Sequence, residues 1–266
     1  MNALLLYCRA GFEAECAAEI AERAGERHPG YARTEHGSAF VEWFCESPEA
    51  LAATLPWRTL IFARQRLAVI ADIDAMPTED RLTPILATLD AVDHGFAEVR
   101  VEHPDSDAGK SLATFCRKFG HAAAAALRKR DRIDPRGPRL HLCFPHGSRV
   151  LIALGDAGSA PWPQGIPRLR LARQAPSRSA LKLDEALHVL LDDEERARWL
   201  KPGMGAVDLG AAPGGWSWVL ARQGLHVIAV DNGPLADAAI ATGLIEHRRE
   251  DGFRFRPSQP ADWLVC

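Results

Sequence analysis

The stretch "VDLGAAPGGWSW" (Val207 to Trp218) decides how the C-terminal part of this 266-residue chain is read. "GAVDLG" is an apolar run of strand character, and "GWSWVLARQG" has helical spacing with Gly224 as its stop. Between them lies a turn with Gly210, Gly214 and Gly215 around Pro213. Glycines let a ligand approach the backbone closely, and the start of the next helix offers N–H groups without intrahelical partners. Downstream, "HVIAVD" is a second strand, "PLADAAIATG" a second helix, "LIEHRRED" a third strand and "DWLVC" a fourth. This order of short apolar strands and helices predicts a parallel, doubly wound sheet.

The chemistry of the turn depends on the carboxylates downstream of it. Asp231 closes the second strand, 16 residues past Gly215, where a carboxylate can accept from both hydroxyls of a ribose. A nicotinamide cofactor and S-adenosylmethionine both fit that pattern, and so does a tight turn with no ligand. "GAAPGG" departs from G-x-G-x-x-G, however, and Pro213 opens the turn for a different ligand shape. Asp251, past the third strand, is either an acceptor for an adenine amino group or a surface carboxylate beside Arg248, Arg249 and Arg254. Asp208, inside the first strand, is read as ordering the turn rather than touching substrate. Upstream, "PSRSALKLDEA" opens a helix with Ser179 and Lys182. A lysine there is usually solvated, but beside a cofactor cleft it could polarise a hydroxyl.

The N-terminal part alternates strand and helix signals. "ALLLYC", "SAFVEWF" and "LIFARQRLAVI" read as strands, and "GFEAECAAEIAERAG" as an amphipathic helix. A helix from Thr78 to Leu89, a strand in "FAEVRVEH", a long helix and the strands "RLHLCF" and "RVLIAL" come next. On the long helix, Arg117, His121 and Arg128 fall within about 20° of Lys110 at about 100° per residue. Lys129, Arg130 and Arg132 continue the stripe, while Leu112, Phe115, Cys116, Phe119, Ala123 and Ala126 take the opposite side. From Gly155 to Gln174 the composition turns to Gly, Pro, Trp and Arg, as in a linker. The "DEALHVLLDDEERARWL" stretch that leads to Pro202 and Gly203 reads as one helix. The domains expected are 1–65, an α/β unit; 66–155, with the basic helix; a linker, 156–175; and 176–266, the doubly wound sheet.

The net charge of −3 conceals an uneven distribution. Residues 1–109 carry 9 Arg/Lys against 19 Asp/Glu, whereas residues 110–149 carry 10 against 2. Between Ala157 and Leu183 there are 5 basic residues and no acidic one. A polyanion would thus meet localised basic surfaces on an acidic body, although a charge run is more often a solvated face. The six cysteines form no CxxC pair and sit in apolar stretches, which points to reduced structural thiols and no metal site. No apolar run reaches the roughly 20 residues needed to span a bilayer. A cytoplasmic monomer is the expectation.

"SRSALKLDEA" followed by "VDLGAAPGGWSWVL" resembles the S-adenosylmethionine-dependent RNA ribose 2′-O-methyltransferases of the Rossmann-like class. Those enzymes use a Lys-Asp-Lys-Glu tetrad, whose first lysine Lys182 matches. "YCRAGFEAECAAEI", "AVDNGP" and "REDGFRFRP" are similar to the bacterial subgroup that methylates a cytidine ribose in large-subunit ribosomal RNA, the RlmM type. The resemblance covers the whole chain. It implies an N-terminal ferredoxin-like and THUMP region of α+β class that binds RNA, followed by a Rossmann-like methyltransferase domain. It implies S-adenosylmethionine near Ser179, Ala212, Pro213, Gly214, Gly215, Asp231 and Asp251, and it assigns the basic helix with Lys110, Arg117, Arg128, Lys129 and Arg130 to the THUMP module. In this family the tetrad aspartate follows the fourth strand, where this chain ends at Cys266. The expectation is therefore an incomplete Rossmann-like domain, "DWLVC" frayed or exposed, and a chain inactive by itself. The alternatives are an RNA-binding module without catalysis and a nicotinamide-dependent oxidoreductase.

Overall fold

β1 (Ala3–Tyr7) is buried along its whole length, and the N-terminal unit is organised around it. In the computed structural model, which describes residues 2–266, the chain divides into units of residues 1–166 and 167–266. The first continues with α1 (Glu13–Ala24), β2 (Gly30–Thr34), β3 (Phe40–Cys45), α2 (Pro48–Thr54) and β4 (Gln65–Ile73). After these come α3 (Leu82–Leu89), β5 (Glu98–Glu102), α4 (Asp107–Lys110), α5 (Ala113–Lys129), β6 (Arg139–His146) and β7 (Arg149–Gly155). The strands form one sheet in the order β2-β3-β1-β4-β7-β6-β5.

The β-α-β-β-α-β order from β1 to β4 is ferredoxin-like. Side chains alternate across a strand, so Leu4 and Leu6 pack with Ile20 of α1 and Leu51 of α2. Ala3, Leu5 and Tyr7 face the other side, with Leu67, Val69, Leu151 and Ala153. A further core joins α3 and α5 to β6 and β7 through Ile85, Leu89, Leu127, Leu142 and Phe144. The expected boundary at residue 65 falls at the start of β4. Gln65–Val69 of that strand pair with β1, and Ala68–Ile73 pair with β7. One sheet thus runs through both N-terminal regions.

Several elements differ from the sequence reading for local reasons. The third helix starts at Leu82 rather than Thr78, because the Asp80 carboxylate accepts from the Leu82 and Thr83 N–H groups at 3.1 and 3.0 Å. The long basic helix is two: at Ser111 and Leu112 the backbone bonds tighten to carbonyls three residues back, separating α4 from α5. Lys110 therefore stands on a short turn of its own, while Arg117, His121 and Arg128 share the exposed side of α5. The expected linker is partly built in. The Gln65 side chain holds both backbone groups of Ala160 at 3.0 and 2.9 Å, and the Gln164 N–H donates to the buried Glu102 carboxylate at 3.1 Å.

The second unit comprises α6 (Ala180–Leu190), α7 (Asp193–Trp199), β8 (Gly205–Leu209), α8 (Gly215–Arg222), β9 (His226–Val230), α9 (Asp237–Ile240), β10 (Ile245–Arg248) and β11 (Trp263–Val265). The helix expected to continue to Leu200 breaks at Asp192, which forms a reciprocal capping box with Glu195. The four strands are parallel, in the order β10-β9-β8-β11. β11 is paired rather than frayed: Trp263, Leu264 and Val265 align with Ala206, Val207 and Asp208. Val265 is buried and Leu264 is 63% exposed, so only one side of that strand faces solvent.

Glu13 is the buried group most open to test in this fold. It is 2% exposed, and its carboxylate accepts from the N–H groups of Ala39 (2.7 Å), Gly37 (3.1 Å) and Gly11 (3.1 Å). Burial alone would raise the carboxyl, but these donors outweigh it and hold it below the ordinary value. A depressed pKa stabilises the fold above the unfolded value and loses that contribution as pH falls through the folded one. Glu13→Ala is expected to cost about 2–3 kcal/mol at pH 7 in urea titrations. The difference from the wild type should begin to shrink near pH 4 and be smaller again at pH 3.

Candidate active site

The second unit is shaped at the C-terminal end of β8. Asp208 is 2% exposed there, and its Oδ2 accepts from the Ser217 N–H at 2.9 Å and the Ser217 hydroxyl at 2.6 Å. These bonds tie the strand to the first turn of α8 and fix the chain between them. Burial pushes the Asp208 carboxyl up, and the two Ser217 bonds oppose that shift. Within the turn, Gly210 and Gly214 have φ of 79° and 100°, a region side chains disfavour. An added Cβ on Gly214 would also lie 2.8 Å from the Ala239 Cβ, and one on Gly215 would lie 2.5 and 2.6 Å from the Ser177 and Ser179 hydroxyls. Ser177 and Ser179 share a 2.6 Å hydrogen bond, and the Trp216 indole N–H donates to the Ser179 carbonyl at 3.0 Å. The backbone before α6 is thereby held against the turn.

Asp231 follows β9 at the same end of the sheet. Its Oδ2 accepts from the Ala212 N–H at 2.9 Å and its Oδ1 from the Gly233 N–H at 2.6 Å. The Gly233 donor first, and the Ala212 donor next, hold the carboxyl below the usual aspartate range. Each oxygen keeps a second lone pair for a further donor. A cleft of about 480 Å³ opens beside it, lined by residues that include Leu209, Gly210, Val230, Asp231, Asp251 and Phe253. That volume lies in the range of small-molecule sites. Asp251 is exposed; it accepts from the Phe253 N–H at 3.0 Å and lies 3.7 Å from Arg254.

The geometry thus brings Ser179, Ala212, Gly214, Gly215 and Asp231 together by direct contact, and puts Asp251 on the same cleft. Pro213 lies in the turn, joined to Ala212 by a cis bond. Lys182 is on the first turn of α6 with its side chain exposed. In the first unit, Arg117, Arg128 and Lys129 are exposed on α5. Lys110 and Arg130 are exposed too, but each lies 2.8 Å or less from a carboxylate, Asp107 and Asp90 respectively.

Ser177, Ser217, Gly233, His247 and Phe253 do not stand out in the sequence. Gly233 carries a usable signal, since an aspartate two residues before a glycine invites a side-chain turn. His247 Nε2 lies 3.0 Å from the Asp231 carbonyl oxygen across the β9–β10 pair, which spacing along the chain does not reveal. Among the described residues, no group of three or more His, Cys, Asp or Glu is placed to hold a metal ion, and no helix is long and apolar enough to cross a membrane.

A parallel sheet with a glycine turn after β8 and a carboxylate after β9 is Rossmann-like, and the match of residues 175–259 to the FtsJ-like methyltransferase family makes the unit a methyltransferase domain. Residues 1–67 match the RlmM ferredoxin-like domain, and residues 80–155 the N-terminal region of ribosomal RNA large subunit methyltransferase M. The protein of that name from Xanthomonas axonopodis pv. citri (strain 306) is 57% identical over 272 residues, covering 100% of this chain and 78% of its own length. The one from Xanthomonas oryzae pv. oryzae (strain PXO99A) is 56% identical over the same spans. The chain belongs to the ribosomal RNA large subunit methyltransferase M family. A crystal structure titled as a possible methylase from Clostridium difficile 630 covers 97% of this chain and 78% of its own at 13% identity, with a TM-score of 0.39.

The turn itself can be tested apart from any ligand. Gly214→Val would force a branched side chain into the left-handed region and against Ala239. It is expected to destabilise the second unit by roughly 2 kcal/mol or more. Hydrogen exchange should report faster exchange across β8, α8 and β9, with residues 1–166 unchanged.

Proposed function

We propose that this chain carries the cofactor-binding and RNA-binding parts of an S-adenosylmethionine-dependent 2′-O-methyltransferase that acts on a cytidine ribose of large-subunit ribosomal RNA. The observation that carries the reading is Asp231. Its two oxygens are pinned by backbone N–H groups, and it lines a cleft at the C-terminal end of a parallel sheet, beside a glycine turn. A carboxylate held ionised there suits the paired hydroxyls of a ribose, and Asp251 on the same cleft suits an adenine amino group. Ser179, Ala212, Pro213, Gly214 and Gly215 are assigned to the cofactor cradle, with the backbone left open for close approach at Gly210. The reading is favoured over a nicotinamide by the relatives, which are named as methyltransferases.

Bound S-adenosylmethionine would supply an electrophilic methyl group. The chain's own task is to present a ribose hydroxyl to it. Lys182, exposed at the start of α6, is assigned to orient that hydroxyl by donating to its oxygen and to stabilise negative charge as it develops. Recognition of the RNA is assigned to the ferredoxin-like and THUMP-like first unit, through Lys110, Arg117, Arg128, Lys129 and Arg130.

Calorimetry tests the cofactor assignment. S-Adenosylmethionine should bind and NADH should not compete, and Asp231→Ala should weaken binding by at least ~1 kcal/mol. Unchanged affinity in that variant would remove Asp231 from the site. Methyl transfer from labelled cofactor to deproteinised large-subunit RNA tests the activity, with the label expected on a ribose oxygen.

The basic side of α5 makes a separate prediction. Arg117, Arg128 and Lys129 have no carboxylate partner among the described residues, so they are the better probes than the paired Lys110 and Arg130. Changing all three to Ala should weaken binding to unrelated RNAs alike and flatten the salt dependence by about 2 units, at ~0.7 per phosphate contact. An unaltered slope would make the stripe a solvated face.

A further inference from the structure

The second unit carries a charge asymmetry that the cofactor site does not use. Residues 167–266 hold 13 Arg/Lys and 13 Asp/Glu, yet residues 167–183 hold 5 of the basic residues and none of the acidic ones. The remaining 8 basic and 13 acidic residues, a balance of −5, lie in 184–266. Arg170, Arg173 and Arg178 of the basic segment are exposed, and none has a carboxylate partner among the described residues. Elsewhere in the unit the exposed basic residues include paired ones: Arg248 lies 2.7 Å from Glu246, and Arg254 lies 3.7 Å from Asp251.

This segment is anchored to the glycine turn after β8. Ser177 and Ser179, on either side of Arg178, are the two residues whose hydroxyls crowd Gly215, and Trp216 holds the Ser179 carbonyl. Arg178 is therefore fixed, through its own backbone neighbours, beside that turn. Arg173 and Arg170 lead away from it. Three of the four arginines in the run thus lie within one stretch of chain, residues 170–178, that ends between the two serines beside the turn. Arginine's planar fork pairs with phosphate oxygens through two N–H groups at once, which suits such a stretch to a polyanion chain.

We propose that Arg170, Arg173 and Arg178 form a phosphate-binding track for single-stranded RNA on the unit that holds the cofactor, separate from the α5 stripe. Arg178 takes the phosphate nearest the ribose presented to the site, and Arg173 and Arg170 take successive ones. The track contacts backbone only, so it contributes affinity and register without reading bases. It rests on the reading of the unit as an RNA methyltransferase.

The test uses this chain and a labelled single-stranded RNA of about 20 nucleotides, with affinity followed against salt concentration. Arg170→Ala/Arg173→Ala/Arg178→Ala should flatten the slope by about 2 units. The variant and wild-type lines would then meet near 1 M salt and differ by roughly 100-fold in affinity at 0.1 M. The corresponding triple Lys variant should recover most of the slope, which loss of a merely structural role would not allow. Arg173→Glu, an exposed position four residues before Ser177, should flatten the slope by about 1 unit or more while S-adenosylmethionine affinity stays unchanged. If the Ala and Glu variants keep the wild-type slope while the α5 variant flattens it, the track is overturned and the RNA methyltransferase reading stands. If the wild-type chain shows no salt-dependent RNA binding at all, both are overturned.

Discussion

The cleft beside Asp231 depends on one buried carboxylate. Asp208 accepts two bonds from Ser217, one from its N–H and one from its hydroxyl, and so sets where α8 begins relative to β8. The five residues between Leu209 and Gly215 must then close a fixed gap, which they do with two glycines at positive φ. That closure brings the Ala212 N–H to Asp231. Asp231 in turn accepts from Gly233 and fixes the chain after β9. The buried Asp208 carries no direct assignment to a ligand, yet the Ala212–Asp231 contact beside the cleft follows from the position that it sets for α8. Removing one partner of such a pair leaves an unsatisfied buried group, which is why the pair is worth more than its net hydrogen-bond energy.

The first unit uses the same device to hold irregular chain. Arg66 is 2% exposed, donates to the Leu55 carbonyl at 2.8 Å and pairs with Asp156 at 2.7 Å. Gln65, the next residue back, clasps Ala160 through both of its side-chain groups. Adjacent strand residues point to opposite faces, so β4 secures two parts of the 156–160 segment from its two sides. A charge buried this deeply destabilises the fold by several kcal/mol if its partner is lost. β4 is consequently more than the closing strand of the ferredoxin-like half. It pairs with β1, pairs with β7 and ties down the chain after β7.

These contacts mark the limit of what can be read from the sequence. The succession of strands in the second unit, the glycine turn and Asp231 are legible, because apolar periodicity and glycine spacing are local and the carboxylate that closes the second strand lies at a regular distance. The motifs around Ser179, Asp231 and Asp251 are legible as a family resemblance, and the chain belongs to that family. What composition conceals is non-local satisfaction. "GDAGSAPWPQG" has the Gly and Pro content of a linker, but Gln65 and Glu102, 95 and 62 residues away, make part of it buried structure. Helix breaks are hidden for the opposite reason, since Asp192 and Glu195 cap locally inside a stretch whose apolar spacing continues past them. Lys182 and its exposure show the same limit at the site: position on a helix is predictable, and environment is not.

The charges around the cleft set a problem that the basic residues answer. Asp208, Asp231, Glu250 and Asp251 gather near the C-terminal end of the sheet, and Asp231 is held ionised by its N–H donors. Carboxylates there favour a cofactor that carries positive charge and donates from a ribose. The same field repels a phosphate backbone, and a substrate ribose cannot enter without its phosphates coming close. In a unit with equal numbers of acidic and basic residues, net charge cannot supply the attraction. Segregation can: cations concentrated at one side of the turn attract the polyanion locally, while the carboxylates keep the cleft selective for the cofactor. Screening tightens the requirement, because at physiological salt charges act over only about 8 Å, so cations that are to offset the repulsion must stand beside the turn itself.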